Sequence, residues 1–413
     1  MRTITSRDVG RASLFIYALT CFVQAQTLKL NINGVGIALN RILLLLFILG
    51  FVISYIINKG KIKYFREKYY TVLEIWVIWQ IASFANCVTR GLFGWVRLTW
   101  LIFIFLSTAY ALRKYITTEE QLYKILCYVQ IGVMIQALIG LYEHITGIYY
   151  WTSNKELFET VRWFQMKRYP CAMQTNPNDF AVLMFFGAMI SLIMYGVYKS
   201  YCMKVVSLLN IALCTYLILI SDSRATLLGA VVSVLFYFIQ MILFKKRLTS
   251  KTALTIIVFI PIIGIYLYAH LNSFAYKLAF SINGSSESVR LDIYKDGFID
   301  FIKTLGIGTG WHGVAYHSFA VEVLAESGII VFICLVLAFF DIYKKLNYIT
   351  RYEKNKRTLR TANILKAGFI GYFVTSVSPA STLNIEWMGL MIAIFAVFCS
   401  LVNEENGVMR YEV

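Results

Sequence analysis

Long apolar stretches recur along the chain; "SLLNIALCTYLILI" and "VVSVLFYFIQMILF", for example, each sit within a run of about 20 residues and are separated only by "SDSRATLLGA". One helix of that length crosses roughly 30 Å of hydrocarbon, and inside lipid a helix is the simplest way for a backbone to satisfy its own N–H and C=O groups. The chain is therefore expected to be an all-α, polytopic membrane protein. Its 59% hydrophobic and 15% charged residues lie well outside the roughly 45–50% and 25% of a soluble domain. Residues 1–413 read as a single integral membrane domain, with the basic N-terminus leading into a first span rather than a removed signal.

Hydropathy places about twelve spans, near 12–28, 36–58, 70–88, 92–112, 122–142, 179–198, 204–221, 224–244, 252–271, 319–343, 362–379 and 384–402. With the N-terminus inside, about two-thirds of the Lys and Arg fall on inner segments. The net charge of +17 is then an orientation signal, and no nucleic-acid-binding motif accompanies it. The eight cysteines are scattered, mostly within apolar runs and without metal-ligand spacing, so they read as small buried hydrophobes.

This orientation puts His144, His270, His312, His317 and Arg224 at the outer face, together with two long loops, 143–178 and 272–318. Long loops in a compact membrane protein are usually functional. The spans carry few ionisable groups near the midplane and no internal repeat, which weighs against an ion-coupled transporter.

Arg224 begins a span on the side where positive charge is disfavoured. One reading is an interfacial arginine bound to lipid phosphate or to Asp222; the other is a ligand-binding cation. In the second loop, helical spacing of Leu291, Tyr294, Phe298, Ile302 and Leu305 predicts an amphipathic helix along the membrane surface, with Arg290 at its start. Arg290 is either a solvated charge or a group facing the protein or the headgroups. "GIGTGWHG" lacks the GK[ST] of a phosphate loop and reads as a flexible turn that lowers the chain into a cavity. His317 then stands just before a helix entering the membrane, whose positive end disfavours the imidazolium and leaves a neutral base. A cap or packing role is the competing reading, and His312 the competing histidine.

Two arginines and a histidine facing one aqueous cavity suit a lipid-linked diphosphate. Arginine grips phosphate with two prongs, and fixed cations stabilise a leaving pyrophosphate more in the transition state than in the ground state. A base that takes the proton of an attacking sugar hydroxyl completes such a site, which needs neither cofactor nor metal.

These residues resemble the O-antigen ligase and Wzy-type O-antigen polymerase family. "SDSR" (221–224) with Leu228 four residues on is similar to its SxSR and R-x3-L elements. "HS" at 317–318 with Gly328 after nine more residues is similar to its H-[NSQ]-x9-G element, and Val331 stands where ligases tend to carry Gly, Thr or Tyr. The likeness covers roughly residues 205–345. It implies a GT-C-type membrane glycosyltransferase of the bacterial cytoplasmic membrane, with its site facing outward, acting without metal on undecaprenyl diphosphate-linked oligosaccharide as donor and acceptor. Arg224 and Arg290 would bind the diphosphate and His317 would be the base. Arg162, Lys167, Arg168, His312 and Glu326 are accessory candidates, and membrane lipids and a chain-length regulator are the implied partners.

A polymerase making capsule, exopolysaccharide or O-antigen and a ligase passing glycan to another acceptor share this chemistry. A lipid-linked oligosaccharide flippase and a non-catalytic membrane scaffold are the readings from other classes. A flippase needs charges lining a path through the membrane; a scaffold tolerates loss of Arg224, Arg290 and His317.

Overall fold

In the computed structural model of the protein, residues 6–23, 29–32, 35–38, 68–84, 92–152, 155–245, 286–310, 316, 318–376 and 386–405 are described, with 42, 45, 46, 48, 49 and 53. Span nine lies outside them, as does most of span two. Among the described residues five helices are long and apolar enough to cross a bilayer: Glu119–Thr146, Pro177–Val197, Tyr201–Ile220, Arg224–Ile242 and Phe319–Tyr352. The chain is a polytopic membrane protein.

The elements in chain order are α1 (Ser6–Thr20), β1 (Lys29–Ile32), β2 (Val35–Ala38), α2 (Lys68–Ala82), α3 (Leu92–Tyr115) and α4 (Glu119–Thr146). Two short helices, α5 (Lys155–Thr160) and α6 (Arg162–Lys167), precede α7 (Pro177–Val197), α8 (Tyr201–Ile220) and α9 (Arg224–Lys245). After α10 (Ser286–Lys303), one segment runs through α11 (Phe319–Glu322), a π-helical turn (Val323–Ser327) and α12 (Gly328–Tyr352). The chain closes with α13 (Lys356–Thr375) and α14 (Glu386–Glu405).

Local chemistry sets several boundaries. Thr118 caps α4 by accepting from the Gln121 N–H, and Gly147 ends it in the left-handed conformation at φ 72°, the usual preferences at the two helix ends. Asn176 caps α7 through the N–H groups of Asn178 and Asp179, with Pro177 following. "NPND" is thus a helix start.

The first span was expected at 12–28, yet α1 ends at Thr20 and the antiparallel pair β1–β2 follows, with Ile32 opposite Val35. Alternation in "KLNI" and "VGIA" about Asn33-Gly34 outweighs the apolar content, because Asn-Gly between alternating runs is a strong hairpin signal. Lys366, expected at the inner boundary, is instead buried halfway along α13. Its Nζ donates to Asn347 Oδ1 at 2.8 Å and stands over the Phe236 and Tyr343 rings. A lysine inside a bundle is stable when paired in this way.

The face that α4 turns outward carries Tyr128, Ile131, Ile135, Leu138, Tyr142 and Ile145, all exposed, at the three- and four-residue spacing of a lipid-facing stripe. At its outer end Tyr150 stacks on Tyr142 at 6.3 Å, as expected of aromatics at a membrane–water boundary. The inward face is held by hydrogen bonds between helices. Gln130 donates to Ser207 Oγ at 3.0 Å and accepts from the Tyr198 hydroxyl, while Asn210 donates to Ser191 at 2.8 Å. Each such bond contributes roughly 0.6 kcal/mol inside a membrane.

α9 and α13 approach backbone to backbone. A Cβ on Gly371 would fall 2.5 Å from the Gly229 carbonyl oxygen, and one on Gly229 would fall 2.6 Å from that of Gly371. Contacts between small residues let membrane helices pack this closely. Gly371→Leu is expected to force the pair apart at a cost of about 1–3 kcal/mol, read as a lower unfolding temperature of the detergent-solubilised protein. An unchanged transition would show that α9 and α13 are not in this contact.

The two ends of the bundle differ in chemistry. At one end Arg11 donates to the Tyr115 carbonyl and Arg357 pairs with Glu120. Buried Glu119 accepts there from Thr358 at 3.0 Å. At the other end are the close of α4, residues 147–176, the α8–α9 junction, residues 304–310 and the starts of α11 and α14. Arg11 and Arg357, assigned to the inner side, therefore lie at the end opposite Arg168 and Arg224.

Candidate functional site

The α8–α9 junction is a four-residue reversal. Ser221 caps α8 and donates to Ile218 O at 2.8 Å, and Asp222 takes the left-handed conformation at φ 55°, which aspartate tolerates better than most residues. Ser223 hydrogen-bonds the Thr226 hydroxyl at 2.9 Å, and its carbonyl accepts from the Leu227 N–H. Arg224 is the first residue of α9 and is exposed. A guanidinium and the positive end of a helix thus lie at one point, an arrangement that favours an anion.

Residues 306–310 of the glycine-rich stretch form a clasp rather than the flexible turn expected, while 311–313 lie outside the described residues. Gly306, Gly308, Gly310 and Gly328 all have positive φ, and a Cβ on Gly308 would meet the Glu326 carbonyl oxygen at 2.5 Å. Thr309 N donates to Ala325 O at 2.9 Å, Gly310 N to Glu326 O at 3.0 Å and Ile329 N to Gly306 O at 2.9 Å. Glycine's freedom goes into close backbone pairing with the π-helical turn, a feature often found at functional sites. Two α2 indoles support the pairing: Trp76 donates to Ser327 Oγ at 2.9 Å and Trp79 to Ile307 O at 3.0 Å.

This clasp ties the two ends of the segment 311–324, which carries both candidate histidines. His312 and His317 themselves lie outside the described residues. The neighbours of His317 are anchored: Tyr316 is buried and donates to Asp300 Oδ2 at 3.0 Å, and the Ser318 carbonyl accepts from the Glu322 N–H at 2.9 Å. Phe319 N donates to the Ser376 carbonyl at the end of α13 at 3.0 Å. Since Gly229 of α9 packs on Gly371 and Thr375, the helices that start at Arg224 and beside His317 both seat on the C-terminal end of α13.

α10 occupies the position expected for the amphipathic helix. Leu291, Phe298 and Ile302 are exposed along one face, and Leu305 just beyond it, while Gly297 abuts Tyr316 and Val321. Arg290 lies in the first turns of α10, seven positions before Gly297. The Arg290 side chain is outside what the structure describes, so no distance joins the three principal candidates.

The loop between α4 and α7 packs around a small core of Tyr149, Phe158 and Cys171, with the Tyr149 and Phe158 rings 4.9 Å apart. Burial pushes the Cys171 thiol well above its ordinary range, so it stays protonated and inert. Buried Glu143 accepts from the N–H groups of Cys171 and Ala172 at 2.8 and 2.6 Å. Gln174 bonds the Phe22 carbonyl and receives the Trp387 indole N–H. Of the accessory candidates, Arg168 donates to Ile145 O at 2.7 Å and so caps α4; Lys167 is exposed, and Arg162 lies in α6. Glu326 is buried in the π-helical turn.

Sequence reasoning missed Glu143, Tyr169, Trp76, Trp79 and Glu322. Glu322 is buried in the first turn of α11, five residues after His317. The spacing of Trp76 and Trp79, which share one helix face at a span end, was the one available signal. Among the described residues no group of three or more His, Cys, Asp or Glu side chains could hold a metal ion.

No family model matches the chain. It is distantly similar to the teichuronic acid biosynthesis protein TuaE of Bacillus subtilis (strain 168), at 24% identity over 359 residues, 78% of this chain and 70% of that protein.

Proposed function

We propose that the protein is a GT-C-type membrane glycosyltransferase. It polymerises undecaprenyl diphosphate-linked repeat units into a surface polysaccharide at the outer face of the bacterial cytoplasmic membrane. The observation that carries the reading is the common seat of α9 and α11 on the C-terminal end of α13, through Gly229 against Thr375 and Phe319 N to Ser376 O. Two helix starts, one bearing Arg224 and one adjoining His317, thereby belong to one face. The similarity to a protein named for teichuronic acid biosynthesis adds the substrate class, a polysaccharide under construction.

In this mechanism Arg224 and Arg290 hold the donor diphosphate, and the N–H groups of the first turn of α9 add to their field. The acceptor hydroxyl oxygen attacks the anomeric carbon of the donor while His317 takes its proton. The bond from that carbon to the phosphate oxygen breaks, and the electron pair leaves with undecaprenyl diphosphate. Charge grows on the leaving group, so cations fixed in place lower the barrier without reorganising. The growing chain passes to each new lipid-linked unit, and a chain-length regulator is the partner such a process calls for.

The decisive experiment combines purified protein with lipid-linked repeat units. A ladder of products is expected, formed equally well in EDTA. One-step transfer to a different acceptor would instead identify a ligase. Reproducible loss in EDTA, restored by a divalent ion, would contradict the metal-free mechanism.

A further inference from the structure

Arg224 is held from a part of the chain that the reading above leaves unused. The Tyr169 hydroxyl, on the loop between α4 and α7, donates to Asp222 Oδ2 at 3.2 Å. Asp222 is the left-handed residue, at φ 55°, on which the α8–α9 reversal turns, two positions before Arg224. Tyr169 is itself fixed. Its side chain is 6% exposed, and its carbonyl accepts the Tyr149 hydroxyl at 2.9 Å. The two residues after Pro170 are pinned by the single carboxylate oxygen of Glu143. On either side of Tyr169, Arg168 and Ala172 adopt positive φ values of 46° and 49°. Non-glycine residues hold such conformations only where their surroundings impose them.

We propose that Tyr169 and Asp222 are positioning residues for Arg224, and that the loop between α4 and α7, anchored at Glu143, thereby forms part of the donor site. The inference rests on the assignment of Arg224 to the donor diphosphate. A two-pronged arginine contact is sensitive to where its helix begins, and the Asp222 turn sets that start. The Tyr169 hydroxyl bonds the Asp222 carboxylate and so ties the turn to the loop that carries Tyr169.

The test uses full-length protein in detergent with undecaprenyl diphosphate as the probe, so binding is read without turnover. Size-exclusion profiles normalise for folded protein. Tyr169→Phe and Asp222→Gly are each expected to weaken binding about tenfold, because each removes one charge-assisted hydrogen bond. Glycine preserves the backbone freedom at 222, so its effect reports the lost acceptor. Asp222→Asn, which accepts the same bond and tolerates the same φ, is expected to stay within about twofold of the parent. The double variant Tyr169→Phe with Asp222→Gly is expected to match either single one, since both remove the same contact. A merely structural role would lower the unfolding temperature and leave the affinity alone. Parent-like affinity in Tyr169→Phe and Asp222→Gly, or effects that multiply to about a hundredfold in the double variant, would overturn the positioning role. Arg224→Lys separates the two levels. If it loses the probe while Tyr169→Phe keeps it, only the positioning role fails; if Arg224→Lys itself binds normally, the diphosphate assignment fails with it.

Discussion

Replacing Arg224 with lysine is expected to abolish chain elongation although the charge is unchanged. Lysine supplies a compact, strongly hydrated point charge, whereas a diphosphate is gripped by a planar fork of N–H donors at fixed spacing. Losing one fixed donor to a developing anion typically costs about 10²- to 10³-fold in rate. Arg224→Ala removes the charge as well and is expected to fall at or beyond that range. Folding is a poor explanation for either loss. Arg224 is exposed at the first position of α9, where substitutions usually shift stability by no more than about 0.5 kcal/mol. The matched pair Arg290→Lys and Arg290→Ala, on α10, is expected to behave alike. The check is polymer length on a gel beside the size-exclusion profile of each variant. Near-normal polymer from both lysine variants would count strongly against two-pronged binding.

The parts of this molecule legible in its sequence are those written in composition and period. The apolar runs at 179–198 and 204–221 read as spans and are α7 and α8 to within a few residues. The stripe from Leu291 to Leu305 read as an amphipathic helix and is α10. What stayed hidden is carried by backbone groups or by contacts far apart in sequence. The clasp of 306–310 against 325–329 is made of three main-chain hydrogen bonds, which no side-chain pattern announces beyond the glycines. Glu143 stands at the end of an apolar run like any interfacial carboxylate, and only the structure joins it to the N–H groups of residues 171 and 172. Tyr169 looked like an ordinary loop residue and Asp222 like a local partner for Arg224, because nothing local to either implies the other. The hairpin at 29–38 differs, since its Asn-Gly signal was present and hydropathy overrode it.

These hidden contacts alter how the candidate site is understood. Arg224 comes from the α8–α9 junction, Arg290 and His317 from two parts of the single loop 272–318, and a shared substrate requires each of these three segments to be fixed independently. The Asp222 reversal fixes the first, the face of Gly297 on Tyr316 the second, and the clasp with the Phe319–Ser376 bond the third. Each anchor reaches into another helix: Tyr169 back toward α4, the indoles of Trp76 and Trp79 into α2, and Ser376 at the end of α13. The N-terminal spans, featureless as sequence, therefore act as the frame that holds the outer segments.

His317→Ala is expected to stop the reaction with donor still bound. In the proposed mechanism the imidazole serves the acceptor hydroxyl, not the diphosphate, so its loss should cost the roughly 10²- to 10⁴-fold of general-base catalysis and leave affinity for undecaprenyl diphosphate close to the parent's. That separation distinguishes it from the arginine variants, which are expected to lose both. The base must be neutral to accept a proton. His312 shares the clasped segment but lies nearer the glycines, and His312→Ala is expected to retain most of the turnover. Single-turnover assays with preloaded donor, run on both variants beside the binding measurement, decide between them. Full activity in His317→Ala together with loss in His312→Ala would move the base five residues toward the clasp and leave the diphosphate assignment standing.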